Sequence, residues 1–327
     1  VSYIPRSGAE ALMPEEFQRE IFESVPENSA VMSLATQAPN MSRQQKRLPV
    51  LSVLPMAYFV SPGPDVRTDA SDINFKKTTR MLWENKYLDA EELAVIVAIP
   101  ENVLDDSDYD IWAQVKPKLV ESFGVTFDQA VFYGINAPAI WPPDIVTSAA
   151  AVGNYVQYPN SFDLYDNILG EDGVIAKVEE SGFMVNGHVS AMSMRGKLRG
   201  LRDDNKQPIF KALTKEGVQG STRYELDGEP MVFPRNGSVD PSRSLLISGD
   251  WSQLIYSIRK DITWKILTEA VIQDPVTNEI LYNLPQMDMV AIRAVMRIAW
   301  QVPNPVNRLQ PDGDERYPFA VLAPAGS

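Results

Sequence analysis

Residues 42–90 constrain the fold more than any other part of the chain. Leu48 to Val60 is extended in pattern and rich in β-prone side chains, but Pro49 and Pro55 interrupt it. A proline cannot donate to a strand ladder, so these positions belong to an edge strand or to an arm outside a sheet. Val60-Ser61-Pro62-Gly63-Pro64-Asp65 reads as a turn, and Asp69 to Trp83 as the extended return. The result is a long two-stranded excursion with little apolar surface of its own. Such a ribbon is marginal in water unless it rests on something else.

On either side of the ribbon the chain alternates helix and strand signals. Residues 1–13 read as an arm, followed by Pro14-Glu15-Glu16, which suit a first helical turn. Phe17, Ile21 and Phe22 then share one stripe, and the short helix ends near Val25-Pro26. Leu93 to Ile99 predicts a buried strand. The acidic run Asp105 to Asp110, with Ser107 as N-cap, predicts the start of a helix on which Ile111, Val115, Leu119, Val120 and Phe123 form one face. Pro117 interrupts that face and predicts a kink or a later start, and Gly134 ends the run before a proline-rich loop to Pro143. A second amphipathic helix over 161–179 is broken by Gly170-Glu171-Asp172-Gly173. Residues 182–290 read as short strands with turns at Asn186-Gly187, Asp227-Gly228 and Asn236-Gly237, and a helical patch at Ala191–Leu201. The last long strand, Met289 to Trp300, alternates apolar and mixed positions.

Chemistry-bearing motifs are few. The chain has no cysteine and one histidine, which excludes disulfides, thiol nucleophiles, cysteine-based zinc sites and any two-histidine metal site. His188 follows a turn signal, and its surroundings lack the Gly-x-Ser-x-Gly elbow, so it reads as a turn-flanking residue. Asp106-x-Asp108-x-Asp110 begins like a calcium loop, but Ile111 and Pro117 stand where that loop needs glycine and glutamate. No glycine-rich phosphate loop occurs. Paired carboxylates are uninformative where 43 acids are available. The six tryptophans are scattered and read mostly as core, with some at interfaces. A net charge of −13 disfavours tight binding to nucleic-acid phosphates or anionic membranes. The run Leu93 to Ile99 falls far short of the roughly 20 residues of a membrane span. An arm, an unsupported ribbon and no reactive site together point to an assembly protein rather than an enzyme, because such elements pack on neighbouring copies.

The order of several short stretches resembles the major capsid proteins of tailed bacteriophages, which share the Hong Kong 97 capsid fold. Ser71-Asp72-Ile73-Asn74-Phe75 with Lys76-Lys77-Thr78-Thr79 is similar to the returning arm of the family's extended loop. Leu93–Ile99 with Pro100-Glu101-Asn102-Val103-Leu104-Asp105-Asp106-Ser107 resembles its strand and entry to the long spine helix. Phe183-Met184-Val185-Asn186, Leu198 to Leu201 with Arg202-Asp203-Asp204, and Pro208-Ile209-Phe210 resemble the axial-domain core. Gly228-Glu229-Pro230-Met231-Val232 and Gly249-Asp250-Trp251-Ser252-Gln253 match two further landmarks.

The resemblance implies an α+β capsid fold in four parts: an N-terminal arm (1–41), an extended β-ribbon loop (42–90), a peripheral domain with the spine helix (91–145 and 286–327) and an axial domain (146–285). It implies a non-enzymatic shell protein that needs no cofactor or metal. Its copies would assemble through five- and sixfold capsomers into an icosahedral shell around double-stranded DNA, in the bacterial cytoplasm and without specific DNA binding. Portal, scaffolding and decoration proteins are the implied partners, and no membrane is involved. Tyr58, Phe59, Asp65, Arg67 and Asp69 are the expected inter-subunit contacts of the extended loop. Relatives that crosslink their subunits use a lysine in this loop. Between Leu48 and Phe75 this chain has Arg67 and no lysine, so a non-covalent shell is expected. A start at Val1 fits either a cleaved scaffolding segment or a lost initiator methionine. An encapsulin-like compartment shell and a carboxylate-dependent hydrolase are the alternatives.

Overall fold

The computed structural model describes residues 29–57, 78–105, 111–159, 163–201, 211–214, 222–274 and 277–325. One four-stranded sheet has the order β1 (Thr36–Gln37), β11 (Ile255–Leu267), β14 (Met289–Gln301), β4 (Glu91–Pro100). A seven-stranded sheet runs β5 (Tyr155–Tyr158), β15 (Phe319–Pro324), β10 (Leu246–Gly249), β6 (Gly187–Ser190), β9 (Glu229–Val232), β8 (Thr222–Leu226), β7 (Lys211–Thr214). Two isolated pairs complete the strands: β2 (Gln45–Val53) with β3 (Leu82–Asp89), and β12 (Val271–Gln273) with β13 (Ile280–Asn283). The sheets cross the expected domain limits. β11 falls within 146–285 yet pairs with β14, and β15 falls within 286–327 yet pairs with β5 and β10.

The expected long helix is α3 (Ile111–Tyr133). It runs through Pro117 instead of starting after it, and Asp106 to Asp110 lie outside the described residues. Its burial is one-ended. Leu119, Phe123, Phe127, Ala130, Val131, Phe132 and Tyr133 are buried, and no residue before Leu119 is. Pro117 therefore falls in the turns ahead of the packed half. At the other end Gly134 takes φ +67° and donates to the Ala130 carbonyl (3.1 Å), the left-handed stop that glycine adopts without a Cβ penalty.

Aromatic rings tie α3 to both sheets. Phe127 meets Trp141 edge-on and Trp141 meets Trp300 of β14, while Phe132 meets Trp251 and Trp251 meets Phe319 of β15. Edge-to-face pairs of this kind add to the free energy of burying the rings. Val31 of α1 (Ala30–Leu34) and Ile145 of α4 (Ile145–Ala151) complete that cluster. A second cluster covers the other face of the seven-stranded sheet. There α5 (Leu164–Leu169), α6 (Val174–Glu180) and α7 (Met192–Gly200) pack Ile168, Val178, Met194 and Leu198 against Leu246 and Leu322. With both faces covered, every residue of β6 and β10 is buried.

Local details depart from the expectations in physically clear ways. Asp227-Gly228 is a two-residue hairpin with φ of +54° and +86°, as the mirror-image turns require. Asn186-Gly187 is not a hairpin. The Asn186 side chain accepts from the Trp251 N–H (2.8 Å) and donates to Asp250 (2.9 Å), so it holds a 3₁₀ turn, Trp251–Gln253. His188 is consequently not turn-flanking but fully buried in β6, with Nδ1 2.8 Å from the Ser248 hydroxyl on β10. Burial pushes its imidazole down to about 4. β4 is not a buried strand either. It is the edge of its sheet and alternates between half-buried and exposed positions, leading into the short α2 (Glu101–Asp105).

Candidate assembly surfaces

A chain that assembles should show surface for which its own fold has no use, and the ribbon does. β2 and β3 pair antiparallel from Gln45 opposite Asp89 to Val53 opposite Leu82, and neither strand joins another sheet. The root is secured against the body of the subunit. There Leu88 and Ala90 are buried with Met41 and Ala299, the Trp141 indole donates to the Asp89 carbonyl (2.9 Å), and Gln45 donates to the Asp89 carboxylate (2.8 Å). Toward the tip the strands emerge into water with Met56, Met81, Leu82 and Trp83 exposed, and nearer the root Tyr87 is exposed as well. Trp83 keeps 62% of its surface accessible, a large apolar exposure for a tryptophan in a folded subunit.

A proline-rich loop between β14 and β15 supports the ribbon further out. The Val306 N–H donates to the Leu51 carbonyl (3.1 Å) and the Arg308 guanidinium to the Pro55 carbonyl (2.8 Å). That loop is itself organised from within by Arg316, which is nearly fully buried. Its guanidinium donates to the carbonyls of Pro305, Pro311 and Asn304 at 3.2, 2.6 and 3.2 Å. One planar fork thereby satisfies several carbonyls that no strand could reach.

The arm's root is latched separately. Asp128 of α3 is fully buried and accepts from the Ser29 hydroxyl and from the backbone N–H groups of Ala30 (2.8 Å) and Val31 (3.1 Å). Ser29 in turn caps α1 by accepting from the Met32 N–H (3.0 Å). Desolvation pushes the Asp128 carboxyl up to about 6 against the opposing pull of these donors. Gly124 allows the close approach, since a Cβ there would lie 3.2 Å from the Ser29 nitrogen.

Tyr58, Phe59, Asp65, Arg67 and Asp69, the expected contact residues, lie outside the described residues. The ribbon root and its exposed Trp83 were not singled out from sequence, because a scattered tryptophan reads as core. The signal was available in Trp83's position on a strand with no predicted partner sheet. Among the described residues no cluster of three or more His, Asp or Glu side chains could hold a metal ion, and no helix is long and apolar enough to cross a membrane.

Residues 9–307 match the model of the phage capsid family. The chain belongs to that family. It is 28% identical over 316 residues to the major capsid protein of Staphylococcus phage 80alpha, covering 95% of this chain and 84% of that one. A solved chain from Microbacterium phage Oxtober96 superposes with a TM-score of 0.80 at 33% identity, covering 99% of this chain and all of the other. One from Mycobacterium phage Cain gives 0.80 at 26% identity with full coverage of both. The fold of this phage capsid chain is the Hong Kong 97 type, α+β, and its role is structural: it self-associates to form the capsid shell of a tailed-phage virion.

Proposed function

We propose that the ribbon is the principal device by which one copy of this capsid chain holds the next, lying across an adjacent subunit within five- and sixfold capsomers. The observation that carries this reading is the exposed apolar surface of a two-stranded ribbon that joins neither main sheet and is held only at its root and by two hydrogen bonds to the β14–β15 loop. Tyr58 and Phe59 serve as apolar anchors beyond it, with Asp65, Arg67 and Asp69 as ionic contacts. The four-stranded sheet and α3 act as the peripheral domain, the seven-stranded sheet and its helices as the axial domain, and residues 1–41 as the arm. The shell is non-covalent, since no lysine lies between Leu48 and Phe75. It encloses double-stranded DNA without specific contacts, assembles in the bacterial cytoplasm, and meets portal, scaffolding and decoration proteins.

Deleting residues 60–70 tests this reading. Soluble capsomers or misassembled material in place of shells are the expected product under negative-stain microscopy, and normal shells contradict it. Boiling wild-type particles in detergent should release single chains. Ladders of linked subunits would contradict the non-covalent shell.

A further inference from the structure

The four-stranded sheet has two faces, and only one of them is a core face. Met296, Ile298 and Trp300 of β14 point to α3, with Leu93, Ile258 and Ile262 beside them. The intervening residues point the opposite way, because side chains alternate along a strand. On that second face the register sets Lys260 opposite Arg297 and Lys265 opposite Arg293. Like charges directly opposite each other across a ladder repel. Glu92 of β4 relieves one of them, binding Arg297 through Nε (2.9 Å) and Nη2 (2.6 Å). Lys260, Lys265 and Arg293 form no ion pair with any described residue. The ribbon root covers the lower end of this face, where Ala299 packs with Leu88 and Ala90 and Gln301 donates to the Tyr87 carbonyl (3.0 Å), while Val295 between the cations and Ala291 at the far end are also buried. Beyond the root Lys260, Lys265, Arg293 and Ile96 are exposed. A chain of net charge −13 thus places four cations on one sheet face by register, with Glu92 the carboxylate paired to one of them.

We propose that this face is an inter-subunit docking surface that receives carboxylate side chains of a second copy of the chain. The inference rests on the shell reading above, which brings copies together, and it names a contact that the ribbon does not itself define. Charge complementarity selects the occupant. The repulsion between opposed cations is relieved when carboxylates enter between them, and every neighbouring copy has 43 acids to offer. A polynucleotide fits less well. Its phosphates would extend past the patch along a chain of net charge −13, whereas a side chain reaches only the local cations, within a Debye length of about 8 Å. The patch is also interleaved with Thr263, Ile96 and Leu267 around the buried Val295, a mixed polar and apolar surface of the kind protein interfaces use.

The test compares wild type with Lys265→Met/Arg293→Met, which keeps apolar stems and removes both charges. The variant subunit should melt at the wild-type temperature or above it, since an internal repulsion is gone. Its assembly, followed by light scattering and microscopy, should need about tenfold more protein at low salt. That gap should narrow as salt rises toward about 1 M. The charge reversal Lys265→Glu/Arg293→Glu should assemble still less. Equal assembly of wild type and the neutral variant overturns the proposal while leaving the shell reading intact. Loss of single-stranded polynucleotide binding with unchanged assembly overturns it in favour of a nucleic-acid surface. Wild-type protein that forms no particles at any salt overturns this contact and the shell reading together.

Discussion

The seven-stranded sheet and the ribbon are built from the same kind of strand and have opposite dependencies. β6 and β10 lie in the middle of a sheet, paired on both edges and covered on both faces. Their stabilisation is complete within one chain. The ribbon has one ladder, joins no other sheet and exposes Trp83. Its ladder alone is marginal in water, and under the proposal above a neighbouring copy completes its ordering. The difference teaches where a shell-forming chain keeps its stability and, under the proposal above, its association energy: the first is internal to the seven-stranded sheet, the second is carried on elements that the subunit leaves exposed.

Substitutions should separate these two roles. The largest effect on the subunit is expected at Gly249 in β10, where a Cβ would press on the Phe319 ring and lie 2.5 Å from the Pro318 carbonyl. Gly249→Val should cost about 3 kcal/mol and leave little folded chain at 37 °C, measured by urea unfolding and soluble yield. Next comes Asp128→Ala, which strips the acceptor from Ser29 and from two buried N–H groups. A loss of about 2 kcal/mol is expected, with faster hydrogen exchange confined first to residues 29–35. Arg316→Lys should cost about 1 kcal/mol and loosen the loop that holds Leu51 and Pro55, while the seven-stranded sheet keeps its exchange protection. Smallest on the subunit is Trp83→Ser, expected to change its unfolding free energy by less than about 0.5 kcal/mol. The same substitution should abolish or badly impair shell formation. A large loss of subunit stability from it would erase the contrast between the two regions.

The two buried ionisable groups sharpen the comparison through pH. His188 in the sheet has its pKa lowered, so its contribution is fully present above 6.5 and is lost as pH falls toward about 4. Asp128 at the arm latch has its pKa raised, so its contribution is present below 3.8 and is lost as pH rises through about 6. The two slopes oppose each other between about pH 4 and 6. Relative to wild type, His188→Gln should therefore gain stability as pH falls through that window, and Asp128→Asn should lose it. Parallel pH profiles for the two variants would contradict these assignments.

Local devices of this fold were readable from sequence, and its long-range pairings were not. The 3.6-residue spacing of Leu119 and Phe123 and the stop at Gly134 locate the packed end of α3. Asp227-Gly228 specifies its own hairpin, and the prolines at 49 and 55 mark a ribbon outside the main sheets. His188 was misplaced because Asn186-Gly187 looks like a hairpin turn, whereas its asparagine is spent on a turn more than 60 residues away. β15 carries no mark that it will insert between β5 and β10, a pairing decided by packing on both faces. The cationic sheet face is likewise invisible in sequence. Lys265 and Arg293 stand 28 positions apart, and only the register of β11 on β14 sets them opposite each other.

Hydrogen exchange of residues 82–89 in β3, compared between isolated subunits and assembled shells, tests the central claim most directly. The ribbon amides should exchange rapidly in the subunit and become protected in the shell, while residues 246–249 of β10 are protected in both. Ribbon amides as protected in the free subunit as in the shell would show that the ribbon is stable without its neighbours, and would contradict the account.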